Sequence, residues 1–210
     1  MPSRLSFERL AWLVQPSYVA AEVLIGVGLG IAYSFRDDTI SALGTGFPGV
    51  ELEGYSSTPW AMNVAFIGFG ALQAVGAWHL LRDRLTRQHQ LVGGLWAVAG
   101  SFSILVGFFP VDSHPVMHTL VALPVFLAQP LAIVIHARLL KPSRVRSVGM
   151  ALGAVSIAGA VSFGLLLNSD EWGGFAERAA IWPAKAWLAM AALGVVSQAL
   201  RKADSLAESI

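Results

Sequence analysis

The sequence predicts an all-α protein: a polytopic membrane helix bundle of six transmembrane helices in one domain, 1–210, with both termini cytoplasmic. Three observations predict it. Hydrophobic residues make up 55% of the 210 and charged residues only 13%, about half the charged share of a typical soluble domain. Mean hydropathy is +0.63, and apolar runs near the roughly 18–20 residues that cross a bilayer recur along the whole chain. Basic residues gather on alternate connections, as the positive-inside rule expects.

The six spans fall at about 12–35, 60–81, 92–110, 116–138, 147–167 and 180–200. The opening, "MPSRLSFERLAWLV", has the basic start of a signal peptide but continues without a small-residue cleavage site, so an uncleaved first span is expected. Arg4 and Arg9 precede that span, Arg82, Arg84 and Arg87 follow the second, and Arg138, Lys141, Arg144 and Arg146 follow the fourth. With Arg201 and Lys202 after the sixth, they form one basic side, and only Arg36, Arg178 and Lys185 of the 14 basic residues remain for the other. Asp37, Asp38, Glu51, Glu53, Asp112, Asp170, Glu171 and Glu177 fall on that second, extracytoplasmic side. A multi-pass cell-membrane protein is expected.

Composition also excludes. A net charge of +1 without a basic stripe gives no footprint for nucleic acid. Without cysteine there is no disulfide framework and no cysteine metal site. Trp60, Trp172 and Trp182 fall near the expected outer boundary and Trp12, Trp78 and Trp96 near the inner one, where indoles suit the headgroup layer. Gly26/Gly30 and Gly149/Gly153, each four apart, allow helices to approach closely. The longest connection, about 36–59, is rich in Gly, Ser and Thr, a length usually functional or mobile on a compact bundle.

This topology gathers candidate residues at the outer level: Asp37 and Asp38 after the first helix, Asn63 one turn into the second, and Asp112 after the third. His114 and His118 enter the fourth helix, and Glu177 and Arg178 the sixth. "FFPVDSHPVMH" carries the densest of these. Pro115 suits the first helical position, where its missing N–H has no partner to lose. That makes His114 the cap and sets His118 on the first turn, near the positive end of the helix dipole. A zinc reading of His114/His118 lacks a third histidine, so solvated histidines are preferred and no cofactor is expected. Glu177 and Arg178 read as an exposed interfacial pair. Glu22 lies inside the first span, where a charge needs a partner. A straight helix puts it roughly 24 Å from Asp38, outside any shared site, with Gln73, Gln129 and His136 as candidate partners.

"YSFRDDTISALG" (Tyr33 to Gly44), Asn63 with Gly68 and Gly70, "GFFPVD" (Gly107 to Asp112), His118 and "GFAERAAIWPAKAW" (Gly174 to Trp187) occur in that order over nearly the whole chain. Together they resemble the six-helix membrane family called domain of unknown function 998. Asp37-Asp38-Thr39 stands where that family often has Asp-Pro. The resemblance implies six helices and marks Asp38, Asn63, Asp112, His118, Glu177 and Arg178 as family-pattern positions, ahead of His114 and Glu22. It carries no chemistry.

From the residues, the leading expectation is an enzyme acting on a lipid or isoprenoid substrate. Asp38, Asp112, His118 and Glu177 would be the acid/base groups, and Asn63, Arg178 and Glu22 the substrate-binding ones. Its partners would be membrane lipids and a lipid-like or isoprenoid small molecule. The alternatives are a non-catalytic protein that binds or moves a lipid or small solute, and a membrane scaffold subunit.

Overall fold

The computed structural model describes residues 6–28, 33–46, 58–82, 86–140, 143–167, 169 and 171–207, with only the backbone for 79 and 195–207. Arg4, Gly30, Arg84, Lys141, Asp170, residues 47–57 of the 36–59 connection with Glu51 and Glu53, and the side chains of Arg201 and Lys202 lie outside the described residues.

The described chain is helical, with α1 (Phe7–Leu13), α2 (Ser17–Gly28), α3 (Pro59–Arg82), α4 (Arg87–Phe108), α5 (Pro115–Leu139), α6 (Arg144–Leu165) and α7 (Gly173–Ala207). A 3₁₀ turn, Ser41–Gly44, lies between α2 and α3. The boundaries have local causes. Thr86 and Ser143 cap α4 and α6 by accepting the backbone N–H of His89 and Arg146. Pro115 opens α5 behind its N-cap residue His114, as the sequence predicts. Helices α3 to α6 are each long and apolar enough to cross a membrane. The α1–α2 pair, bent by 42° across Val14–Pro16, makes a fifth if counted as one span. Helix α7 is not among them by that criterion, although it spans the predicted sixth run.

Small residues set the spacing. An added Cβ at Gly70 would meet the Gly100 carbonyl, and one at Gly100 the Gly70 carbonyl, so α3 and α4 cross backbone to backbone. Gly149 lies under the Trp187 ring and Gly153 against Val134, which draws α6 onto α7 and α5. Gly159 does the same at Ala179–Ala180, where Ser156 donates to the Ala180 carbonyl. That contact lies beside Pro183, which removes a helical donor from α7. Gly26 faces the rings of Phe35 and Tyr33 instead of another helix, so its expected helix-contact role is replaced by a seat for segment 33–46.

Two of the expected inner-belt tryptophans belong to the core. Trp12 and Trp96 are about fully buried with Trp187, and the Trp12 and Trp187 rings flank His136. Trp12 Nε1 donates to the Gln73 carbonyl at 3.0 Å. The reason is the break after α1: a short, separate helix turns its indole inward. Trp60, Trp78 and Trp172 remain exposed, as membrane-interface rings would be.

The α3–α4 crossing makes a direct forecast. Gly100→Ala should lower the melting temperature of the purified protein, at an overpacking cost of about 1–3 kcal/mol. Gly94→Ala, whose Cβ enters open space, should leave it unchanged or raise it. Equal melting of the two variants would contradict the tight crossing.

Candidate functional site

Segment 33–46 folds back against the helix ends, and the polar residues of the bundle close around it. Arg178 on α7 is its centre. Nε donates to Glu22 Oε1 at 2.9 Å, Nη1 to the carbonyls of Phe35 (2.8 Å) and Asp38 (2.9 Å), and Nη2 to the Tyr33 hydroxyl. The guanidinium also lies over the rings of Tyr33 and Phe35 at 5.5 and 5.0 Å. Glu22 is completely buried, and its other oxygen accepts from Trp182 Nε1 at 2.7 Å. Trp182 therefore faces a carboxylate and not simply the headgroup layer.

Two expectations fail here. Glu22 does not stand apart from the outer groups, and Gln73, Gln129 and His136 are not its partners. The chain does not run as one straight helix to Asp38. Tyr33 and Phe35 come back against Gly26, beside Glu22's own helix α2. Glu177 and Arg178 are not an exposed pair either. They are 4% and 5% exposed and point to different partners. Glu177 Oε2 accepts the Ile40 N–H, and Oε1 accepts the Ser41 hydroxyl at 3.2 Å.

The remaining expected residues hold the same segment. Asn63 Nδ2 donates to the Gly44 carbonyl at 3.0 Å. Asp112, exposed, accepts the N–H of Gly46 at 3.0 Å and of Ser113 at 2.8 Å. The Asp38 carboxylate accepts the Ser34 N–H at 2.7 Å and so folds its own turn. Both aspartates thus bond backbone N–H groups of this region. His118 is buried between the Phe109 carbonyl, 2.7 Å from Nδ1, and the Ser41 hydroxyl, 3.0 Å from Nε2. Nδ1 must donate to the carbonyl, which leaves Nε2 of a neutral ring as an acceptor. The single Ser41 hydrogen serves either Glu177 Oε1 or His118 Nε2, and exposed His114 turns to Ser113 instead. Among the described residues no three His, Asp or Glu side chains converge to hold a metal.

Ser41, Tyr33 and Lys185 are the site residues that the sequence reading missed. Lys185, expected on the outer side, is 2% exposed. Its ammonium donates to Gln15 Oε1 at 3.2 Å and Gln73 Oε1 at 3.1 Å and lies 4.9 Å from the Tyr18 ring centre. A helical signal was available: Arg178 and Lys185 are seven apart, two turns along one face of α7. Between them is a cavity of about 30 Å³, lined by Tyr18, Ser41, Ser103, Gln129, Glu177 and Lys185 with apolar walls that include Phe66, Phe126 and Ile181.

Segment 33–46 also finishes the start of α7. The carbonyls of Arg36 and Asp37 accept from Phe175 and Gly174, and Asp37 Oδ1 accepts the Trp172 N–H at 3.0 Å. Trp172 adopts φ 65° there, a left-handed conformation that a bulky residue rarely takes. Arg36, then the Trp172 N–H and then Ser34 hold the Asp37 carboxyl well below its usual range.

Two outcomes follow. Because the Asp37 value is lowered on folding, its contribution is complete above the unfolded value near 4 and is lost as pH falls through the lowered one. Trp172 fluorescence should therefore hold steady from neutral pH down to about 4 and change only below, and D37N should show the altered signal at every pH. A midpoint at or above the ordinary carboxylate value would contradict the clamp. Second, Arg178→Met or Glu22→Leu alone should destabilise by about 3–5 kcal/mol, because each strands a buried charge. The double variant should melt above either single one, and strictly additive losses would exclude a coupled pair.

Comparison with curated proteins returns no match, and comparison with solved structures returns none. A family model described as "Protein of unknown function (DUF998)" matches residues 13–194. That range includes α2 through α6, the clamped segment and both buried cations of α7, and the chain belongs to this family of helical, membrane-type proteins.

Proposed function

We propose that the chain is a six-span protein of the cell membrane, both termini cytoplasmic, and an enzyme that transfers a proton to or from a lipid or isoprenoid substrate. The observation that carries this reading is the position of Ser41. Its hydroxyl lies 3.2 Å from Glu177 Oε1 and 3.0 Å from His118 Nε2, beside a cavity with aromatic walls. A hydroxyl with a carboxylate on one side and an imidazole on the other has a proton acceptor in both directions. Glu177 exchanges the proton with the substrate, Ser41 passes it, and His118, oriented by the Phe109 carbonyl, holds or releases it. Arg178 and Glu22 fix the segment that carries Ser41 and act as positioning residues. Asp38, Asp112 and Asn63 do the same from the rim. The six-span topology is supported by the α1–α2 pair and α7 lying where the first and sixth runs are expected and by the distribution of arginine and lysine.

A second reading, a non-catalytic binding or scaffold protein, is favoured by one observation: Arg178, Asn63, Asp112 and Glu177 all bond backbone groups of segment 33–46. The two readings separate in one assay. Proteoliposomes of mixed glycerophospholipids and polyprenols, followed by mass spectrometry, should show a lipid species converted by the unaltered protein. E177Q, H118Q and S41A should slow conversion by about 10²–10⁴-fold, while R144A, altered at an exposed position on α6, should not. If the unaltered protein changes no lipid, or if E177Q and H118Q both keep full rate, the catalytic reading falls and the binding reading replaces it.

A further inference from the structure

The cavity between Glu177 and Lys185 has its own chemistry. Gln129 on α5 is 1% exposed and lines it, and among the described residues its Oε1 has no hydrogen-bond partner. A buried amide oxygen in a folded protein is nearly always satisfied, by protein or by ordered water. Lys185 contributes an ammonium whose acceptors, Gln15 and Gln73, account for two of its three hydrogens. Glu177 contributes carboxylate oxygens, and Ser103 a hydroxyl whose hydrogen is committed to the Phe66 carbonyl at 3.1 Å, so it can only accept.

The occupant must therefore donate to Gln129, Ser103 and Glu177 and accept from Lys185. Lys185 disfavours a cation, Glu177 disfavours an anion, and an apolar group would leave Gln129 unsatisfied. Volume decides the rest: about 30 Å³ suits about two water molecules at 10–15 Å³ each.

We infer that this cavity is a binding site for ordered water, which bonds Gln129 Oε1 and connects the Lys185 ammonium to the Glu177 carboxyl through the interior. The inference rests on the proposed function only in what the connection is for, which is to supply protons to Glu177 from the far side of Ser41.

Infrared difference spectra of the full chain in nanodiscs, recorded in ordinary and ¹⁸O-labelled water, test the site without any turnover assay. The unaltered protein should show an isotope-sensitive O–H stretch of isolated internal water. The Glu177 carboxyl band, identified by its loss in E177Q, should shift in K185M. Q129L, which occupies the cavity from α5, should lose the water band and shift the same carboxyl band. Ser103→Val does this from α4, should Q129L not fold. Absence of the water band in the unaltered protein, or its persistence in both filling variants, overturns the inference. A hydrated, coupled cavity in a protein without lipid conversion removes only the catalytic reading. A dry cavity in a protein that converts lipid removes only the water site.

Discussion

One buried guanidinium determines where the rest of the polar machinery lies. Arg178 uses its fork to engage α2 through Glu22, the Tyr33 hydroxyl, and two carbonyls of the returning segment. A lysine at this place could not meet four acceptors in fixed directions, since its three donors rotate about one point. Burying either charge alone is strongly unfavourable, and the pair is tolerable only because each member of it is saturated with further hydrogen bonds. Trp182 completes Glu22, and the carbonyls of Phe35 and Asp38 complete Arg178. The ion pair and the path of segment 33–46 are thus one structural fact. Gly174 shows how tight the fit is, since any side chain there would strike the Asp38 carbonyl.

Among the described residues, four Asp, Glu, Lys or Arg side chains are buried: Glu22 and Glu177, Arg178 and Lys185. Their formal charges cancel. They are not one cluster, however. Arg178 and Glu22 form the level beneath the returning segment, and Lys185 with Gln15 and Gln73 forms a second, two helical turns along α7. Glu177 and Lys185 both line the polar cavity. A bundle that needed only to pack would fill these positions with apolar residues at lower cost, which is why the arrangement reads as machinery.

Much of this was legible in the sequence, and the errors have a common cause. Apolar run length locates α3 to α6 to within about five residues, but the first run is two helices, α1 and α2, with Tyr33 already in the returning segment. Helix α7 extends past its run at both ends, Gly173–Gly174 and the capping carbonyls of Arg36 and Asp37 beginning it seven residues early. His118 and Glu177 stand out in the sequence by their shared outer level and by the family pattern, and both prove to be buried. Glu22 is misplaced by the sequence because rise per residue assumes a straight helix, whereas Gln15-Pro16 breaks the first run and Tyr33 and Phe35 lie back against Gly26. Arg178 and Lys185 were assigned to a surface because charge statistics do not see a buried partner. Ser41 lies inside the "YSFRDDTISALG" stretch, but a serine in a Gly- and Ser-rich connection does not stand out as a site residue until folding puts it between Glu177 and His118.

Hydrogen exchange of segment 33–46 in the full chain, read by mass spectrometry in nanodiscs, tests the central claim most directly. If side chains of α2, α3, α5 and α7 hold this segment, the Ile40 amide on Glu177 and the Gly46 amide on Asp112 exchange far more slowly than those of a free connection. Exchange of the whole segment at the rate of an unfolded peptide would contradict it.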